Sequence, residues 1–329
     1  MEEVRAMELA AELAQRAVRT SPNPRVGCVV LGADGEPVGR GWHRGAGQPH
    51  AEVEALREAG ARARGGTAVV TLEPCNHTGR TGPCTQALLA AGIARVVIGR
   101  RDPDPVAAGG AERLAAAGVE VAFAPVPDLN ADWEQAVRRG RPVVVWKAAA
   151  TLDGRVAAAD GTARWITGPA ARREVHELRA AVDAVVVGTG TVLADDPHLA
   201  VRLADRPDAH QPLRVVVGSR PVPPGARVLD AAGRTIRIAD HDPAQVLARL
   251  WRQDVRTVLL EGGPRLAAAF VAADLVDRIV WYVAPALLGA GPAALADTGI
   301  ATIAEARRYR VTGTGVVGDD VRIDLERRR

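Results

Sequence analysis

The sequence predicts an α/β protein built as two domains, and three observations carry that prediction. The chain has 329 residues, more than a single core ordinarily serves. Short apolar runs alternate with stretches of helical periodicity, the pattern of helices layered on a sheet. The alternation restarts around "VRRGRPVVVWKAAATLDG", which places one domain over residues 1–142 and the other over 143–329.

Each element follows from a local signal. Apolar side chains recur at helical spacing from residue 3 to 19, and "TSPNP" stops that helix. Two apolar runs around "ADGE" make "RVGCVVLGADGEPVGRGW" a hairpin. A helix from His50 to Gly60, the strand "TAVVTL", a loop, a helix from Cys84 to Ala91 and the strand "ARVVIG" come next. "AERLAAAG" and "VEVAFAP" add a helix and a strand, completing a three-layer α/β sandwich. In the second half "DAVVVGTGTVLADDP" reads as a strand running into a glycine turn, "LRVVVGS" as a strand and "DPAQVLARLW" as a helix. "VRTVLLEGGPRLAAAFVAA" is strand, glycine turn and helix, while "VDRIVWYVAP" and "YRVTGTGVVGDDVRIDL" supply late strands. "RLADRPDAHQP" and "GSRPVPPGAR" are surface loops.

Composition narrows the function. Hydrophobic residues make up 47% but aromatics only 3%, so the cores rest on Ala, Val and Leu. The 42 basic and 39 acidic residues leave a net charge of +3, too small and too scattered for a nucleic-acid footprint. No apolar run approaches the ~20 residues of a membrane span. The early acids of "MEEVRAMELAAELAQRAV" exclude a secretory signal. Three cysteines in a chain this long are not a disulfide framework. The expectation is a cytoplasmic homo-oligomer acting on a small molecule, with no nucleic-acid or membrane partner.

His50, Cys75 and Cys84 pose a sharper question, because a sulfur-and-imidazole set serves as a staple, a redox pair or a metal site. Cys28 lies mid-strand and reads as a small core hydrophobe. The other three begin a helix, follow a strand and proline, and begin another helix, positions that can converge at one sheet edge. Zinc takes one imidazole and two thiolates and keeps a fourth position for water in catalytic sites, whereas structural sites are closed by four protein ligands. Only three candidates are present, which favours catalysis. Glu52, two residues after His50, is placed to accept and pass on the proton of an activated water. Its competing role, favouring a helix N-terminus, is worth under about 1 kcal/mol.

The signature H-x-E…P-C belongs to zinc-dependent nucleobase deaminases, and His50, Glu52, Pro74 and Cys75 match it. Eight residues, "NHTGRTGP", separate Cys75 from Cys84 where two are usual. With "SPNPRVG" upstream, that spacing resembles the bifunctional riboflavin-biosynthesis family, a diaminohydroxyphosphoribosylaminopyrimidine deaminase fused to a 5-amino-6-(5-phosphoribosylamino)uracil reductase. "KAAATLDGRVA", "RWITGPAARREVHELRA", "GTGTVLADDPHLAVR", "VVVGS" and "LLEGGPRLAAAF" resemble its second half.

The resemblance implies a cytidine-deaminase-like three-layer α/β/α domain followed by a dihydrofolate-reductase-like α/β domain. It implies Zn²⁺ in the first, on His50, Cys75 and Cys84 with Glu52 catalytic, and NADPH in the second. Asn23, His77 and Arg80 would meet the phosphoribosyl pyrimidine. Ala149, Trp165, Thr191, Asp195, Ser219 and the turn Gly263, Pro264, Arg265, Leu266, Ala267, Ala268 and Ala269 would line the NADPH site. Lys147, Arg179, Leu199, Arg202 and Glu261 would hold the reductase substrate, the arginines through its phosphate. Lys147 is read at a strand end, and Lys147, Asp195 and Glu261 are alternative proton donors. Two departures stand out: Ala163 occupies a substrate position where the family has serine, and Asp104 replaces an asparagine in "DPDP". A deaminase of polymeric nucleic acid would need a basic stripe and stacking aromatics, and a merely structural zinc module would need a fourth ligand.

Overall fold

In the first half the alternation of side chains along strands sorts one sheet between two sets of helices. The computed structural model describes residues 2–17, 19–79 and 82–328, and the chain divides into two units, Met1–Gly140 and Arg141–Arg329. In the first unit the elements are α1 (Glu3–Gln15), β1 (Gly27–Leu31), β2 (Pro37–Trp42), α2 (Ala51–Ala59), β3 (Thr67–Val70), α3 (Cys84–Ala90), β4 (Arg95–Ile98), α4 (Gly110–Ala116), β5 (Glu120–Phe123) and α5 (Ala131–Arg139). Among the described residues five strands form one sheet in the order β2-β1-β3-β4-β5, antiparallel across β2-β1-β3 and parallel across β3-β4-β5.

Successive strand residues point to opposite faces. Cys28, Val30, Ala68, Val70, Val96 and Ile98 therefore pack against Ala51, Ala55 and Ala59 of α2, Leu88 of α3 and Leu114 of α4. Val29, Leu31, Val69 and Val97 meet Ala6, Met7, Ala10 and Leu13 of α1 on the other face. Small side chains let helices come very close to the sheet. A Cβ on Gly27 would stand 1.9 Å from the Ala10 carbonyl oxygen, and one on Gly41 2.2 Å from that of Ala51.

The second unit contains β6 (Val143–Thr151), α6 (Pro169–Ala181), β7 (Ala184–Gly188), α7 (Thr189–Asp195), β8 (Leu213–Val217), β9 (Thr235–Ile238), α8 (Pro243–Trp251), β10 (Thr257–Leu260), α9 (Pro264–Ala272), β11 (Arg278–Ala284), β12 (Tyr309–Val317) and β13 (Asp320–Arg327). Eight strands among the described residues form a sheet ordered β12-β13-β11-β6-β10-β7-β8-β9. It is parallel from β11 to β9, and the β12-β13 hairpin continues it antiparallel. Helices α8 and α9 cover one face through Val246, Leu247, Leu250, Ala267, Phe270 and Val271. Ala171, Val175 and Leu178 of α6 and Val192 of α7 cover the other.

Three features depart from the sequence reading. The stretch after β7, expected to be a glycine turn, winds into the short helix α7 despite Gly190. Lys147 is the fifth residue of the nine-residue β6, not at its end. Helices α5 and α6 and edge strand β9 have no counterpart in the expected element order. No helix among the described residues is long and apolar enough to cross a membrane.

Candidate active sites

The first site forms where α2, α3 and the segment after β3 begin or end on the helix-covered sheet edge. His50 is the residue before α2, and Cys84 is the first residue of α3. Their side chains meet Cys75: His50 Nδ1 lies 3.6 Å from Cys75 Sγ and 3.3 Å from Cys84 Sγ. One ligand atom from each of the three falls within 4.8 Å of the others. Cys84 N–H donates to Cys75 Sγ at 3.4 Å, which stabilises negative charge on that sulfur. The neighbouring Cys84 thiol lowers Cys75, reinforced by His50, while the same bond and burial raise Cys84.

Glu52 points into this group from the first turn of α2 and is 3% exposed. Burial raises its pKa, so it can hold a proton as well as accept one. Its buried Oε2 has no hydrogen-bond partner among the described residues. One imidazole nitrogen, two sulfurs and an orphaned carboxyl oxygen are a donor set that suits zinc with a solvent position left open.

The cysteine loop is strapped from behind by a buried glutamate. Glu73 is 4% exposed; its Oε1 accepts Ala111 N–H at 3.0 Å and its Oε2 accepts Asp102 N–H at 3.1 Å. Gly110 permits the closeness, since a Cβ there would sit 1.8 Å from the Pro74 carbonyl oxygen. Asp104, the residue replacing asparagine, accepts Val106 N–H through Oδ1 at 3.0 Å. That turn needs an acceptor, which aspartate supplies as well as asparagine does.

Asn23 is held by a histidine that motif spacing did not reveal. His43, 3% exposed, has Nδ1 3.1 Å from the Pro49 carbonyl oxygen and Nε2 3.0 Å from Asn23 Nδ2. A carbonyl can only accept, so Nδ1 carries the proton and Nε2 accepts from the Asn23 amide. Burial lowers the His43 pKa, which favours this neutral form. His77 is half-buried in the loop after Cys75, and its Nδ1 has no partner among the described residues. Arg80 lies outside the described residues.

In the second unit the centre is a carboxylate between two cations. The parallel pairing of β6 with β10 ends at Trp146 and Leu260, which brings the next residues, Lys147 and Glu261, side by side. Lys147 Nζ is 3.2 Å from Glu261 Oε2. Arg179 of α6 donates to Glu261 Oε1 from Nε at 2.6 Å and to Oε2 from Nη2 at 3.0 Å. Burial would raise Glu261, but the Arg179 and Lys147 charges outweigh it and hold the carboxyl at about 2.

The residues expected around NADPH distribute along the C-terminal ends of the neighbouring parallel strands β10, β7 and β8, where open α/β sheets bind ligands. Thr191 Oγ1 in α7 accepts Gly263 N–H at 3.0 Å. Pro264 opens the nine-residue α9, and the first-turn N–H groups of Arg265 and Leu266 receive no side-chain cap. Ala267 and Ala268 are buried, and Ala269 is half-buried. Exposed Ser219 follows β8, 3.4 Å from His241 Nε2. Hydroxyls, open helix N–H groups and the neighbouring Arg220 suit a phosphorylated dinucleotide.

Ala149 shares the face of β6 that carries Lys147. Trp165 is 69% exposed with the Arg172 guanidinium 4.4 Å over its ring. Asp195 ends α7, and burial raises its carboxyl. Arg164, beside the half-buried Ala163, donates to the Asp195 carbonyl. Leu199 is buried, and Arg202 is exposed. Arg179, expected on a phosphate, spends its fork on Glu261.

The description "RibD C-terminal domain" matches residues 142–322, and "Cytidine and deoxycytidylate deaminase zinc-binding region" matches residues 1–100. Riboflavin biosynthesis protein RibD of Mycobacterium tuberculosis is 48% identical over 327 residues, spanning 97% of this chain and 96% of its own. RibD of Acinetobacter baumannii superposes with a TM-score of 0.88 at 37% identity, covering 99% of each chain. A Thermotoga maritima structure described as a diaminohydroxyphosphoribosylaminopyrimidine deaminase/5-amino-6-(5-phosphoribosylamino)uracil reductase gives 0.84 at 32% identity, again over 99% of each chain. A zinc-binding deaminase domain thus precedes an NADPH-using reductase domain, and the chain belongs to the RibD family of bifunctional riboflavin-biosynthesis enzymes.

Proposed function

We propose that the first unit, Met1–Gly140, deaminates 2,5-diamino-6-ribosylamino-4(3H)-pyrimidinone 5′-phosphate hydrolytically, its boundary falling two residues before the expected 142. The second unit, Arg141–Arg329, then reduces the ribosyl side chain of the product to ribityl, giving 5-amino-6-(5-phosphoribitylamino)uracil. The reading is carried by the gathering of His50, Cys75 and Cys84 beside the buried Glu52.

His50, Cys75 and Cys84 would hold zinc, which would supply the Lewis acidity that activates water at neutral pH. Glu52 takes one proton from the attacking water at Oε2 and passes it to the ring nitrogen, then takes the second from the resulting hydroxyl and passes it to the amine, which leaves as ammonia; its raised pKa suits both halves of that task. His43 turns the Asn23 amide so that Oδ1 remains for the pyrimidine or its ribose. His77 and Arg80 hold the phosphoribosyl end.

In the reductase the chain orients the sugar towards the site where NADPH would be held and would supply the hydride. Glu261 is kept ionised between two cations and has no proton to give. Of the two remaining candidates, Asp195 and Lys147, we assign the acid at the sugar to Lys147, which Glu261 Oε2 steers from 3.2 Å. Arg179 aligns Glu261, and Arg202 takes the substrate phosphate, with Leu199 beside it. Ala149, Trp165, Thr191, Asp195, Ser219 and the turn from Gly263 to Ala269 contact the cofactor.

Zinc binding requires Cys75 and Cys84 in reduced form, which favours a reducing cytoplasm as the working compartment. The small net charge favours a small-molecule substrate over nucleic acid. A homo-oligomer is favoured by β12, an edge strand with Val311 and Val316 exposed at 56% and 77%. Sedimentation as a single chain at micromolar concentration rules that assembly out. For the chemistry, ammonia release from the amino precursor and NADPH consumption on the deaminated intermediate are followed side by side. Glu52→Gln abolishes the first signal and leaves the second; loss of both in a folded variant overturns the two-site reading.

A further inference from the structure

The stretch Leu199–Arg202 belongs to no helix or strand, yet Leu199, Ala200 and Val201 are buried. Leu199 adopts a left-handed φ of 57°. A buried irregular segment must find hydrogen-bond partners for its main chain. Here side chains supply them one residue after another. Arg179 Nη1 donates to the Ala200 carbonyl at 3.3 Å. Gln211 closes on Val201 from both sides, its Oε1 accepting Val201 N–H at 2.8 Å and its Nε2 donating to the Val201 carbonyl at 2.9 Å. His176 Nδ1 accepts Arg202 N–H at 3.2 Å.

His176 and Arg179 lie three residues apart on α6 and so share one face, from which they grip the stretch at Ala200 and Arg202. The Arg202 side chain is exposed and feels like charge from Arg179 and Arg227, with Asp230 in partial compensation. Guanidinium groups crowded in this way favour an incoming anion.

We infer that His176 and Gln211 are positioning residues of the reductase, holding the Val201–Arg202 main chain so that the Arg202 guanidinium meets the substrate phosphate. The inference rests on the assignment of Arg202 to that phosphate. Neither residue touches the reacting atoms. The grip of His176 requires an unprotonated Nδ1. Burial and the charges of Arg179 and Arg202 lower its pKa to about 4, so the lone pair is available at neutral pH. Glu261, the remaining charge facing it, opposes that shift without cancelling it.

The test uses the full-length enzyme and the deaminated ribosylaminouracil with and without its 5′-phosphate. The readout is the ratio of kcat/KM for the two forms, from NADPH consumption. Arg202→Ala removes a charged hydrogen-bonding group and lowers the ratio roughly ten- to hundredfold. His176→Phe and Gln211→Ala misplace that group and lower it about tenfold, through KM of the phosphorylated form rather than kcat. His176→Asn, which retains an acceptor near the Nδ1 position, recovers most of the ratio. If Arg202→Ala leaves the ratio unchanged, the Arg202 assignment fails and takes the inference with it. If Arg202→Ala lowers the ratio but His176→Phe and Gln211→Ala do not, Arg202 stands and the positioning role is wrong. Failure of His176→Asn to recover it assigns the loss to packing and overturns the role of His176. Should His176→Phe not fold, Gln211→Ala decides.

Discussion

Glu261 shows how much one carboxylate can organise. Its side chain is 6% exposed, with Lys147 and Arg179 at 17% and 12%. Glu261→Gln leaves two largely buried cations without their counter-charge, at a cost of about 3 kcal/mol, the low end for breaking a buried pair because both cations keep some solvent. Urea unfolding measures that loss, and reductase turnover falls while ammonia release persists. Acid has the same target. Glu261 is lowered from 4.5 to about 2, so its pairing stabilises the fold fully above about pH 4.5 and fades as pH falls towards 2. His176, lowered from 6.5 to about 4, is neutral in the fold while the unfolded chain takes up a proton first. Its contribution is complete above pH 6.5 and disappears as pH falls through 4. Calorimetry of the wild type should show the second unit's midpoint dropping between pH 6.5 and 4, and His176→Leu should flatten that drop.

At the scale of elements, the closeness of α4 to the cysteine loop makes Gly110 informative. Alanine is the better helix former by about 1 kcal/mol, which alone would stabilise α4. A Cβ 1.8 Å from the Pro74 carbonyl, however, meets backbone that cannot swing aside. Overpacking of about 1–3 kcal/mol wins, so Gly110→Ala is expected to destabilise the first unit and weaken zinc retention against a chelator. Reductase activity is the unaffected control. The inner strands of both sheets are legible because their runs are continuous: "GCVVL", "TAVV", "RVVI" and "AVVVG" are buried almost throughout. Edge strand β9 is not, since "TIRI" places Arg237 between its isoleucines. Helix α5 hides in "ADWEQAVRR", where Ala136 is the buried residue. Helix α7 reads as a turn because Gly190 and β-branched residues mask a helix that tertiary packing of Val192 stabilises. His50, Glu52, Cys75 and Cys84 announce themselves by residue type and spacing. His43, Glu73, His176 and Gln211 do not, for each acts on backbone or amide groups that the fold alone brings near.

At the scale of the whole molecule, each apolar core cluster among the described residues draws on a single unit. Chemistry in one should therefore survive injury to the other. Dialysis against a strong chelator is expected to end ammonia release while NADPH consumption on the deaminated intermediate continues. A parallel loss of both activities would instead tie zinc to the integrity of the entire chain. Readdition of zinc restores deamination if the His50–Cys75–Cys84 cluster persists without its ion.

The strand order of the second unit has a bearing on how the polypeptide is born. Its first strand, β6, pairs with β10 and β11, more than a hundred residues downstream, and β11 in turn awaits β13. The first unit, whose sheet is complete by β5, can mature while translation continues. The second has to wait with β6 unpaired until β10 and then β11 have left the ribosome, which makes those nascent residues the stretch on which chaperones would act.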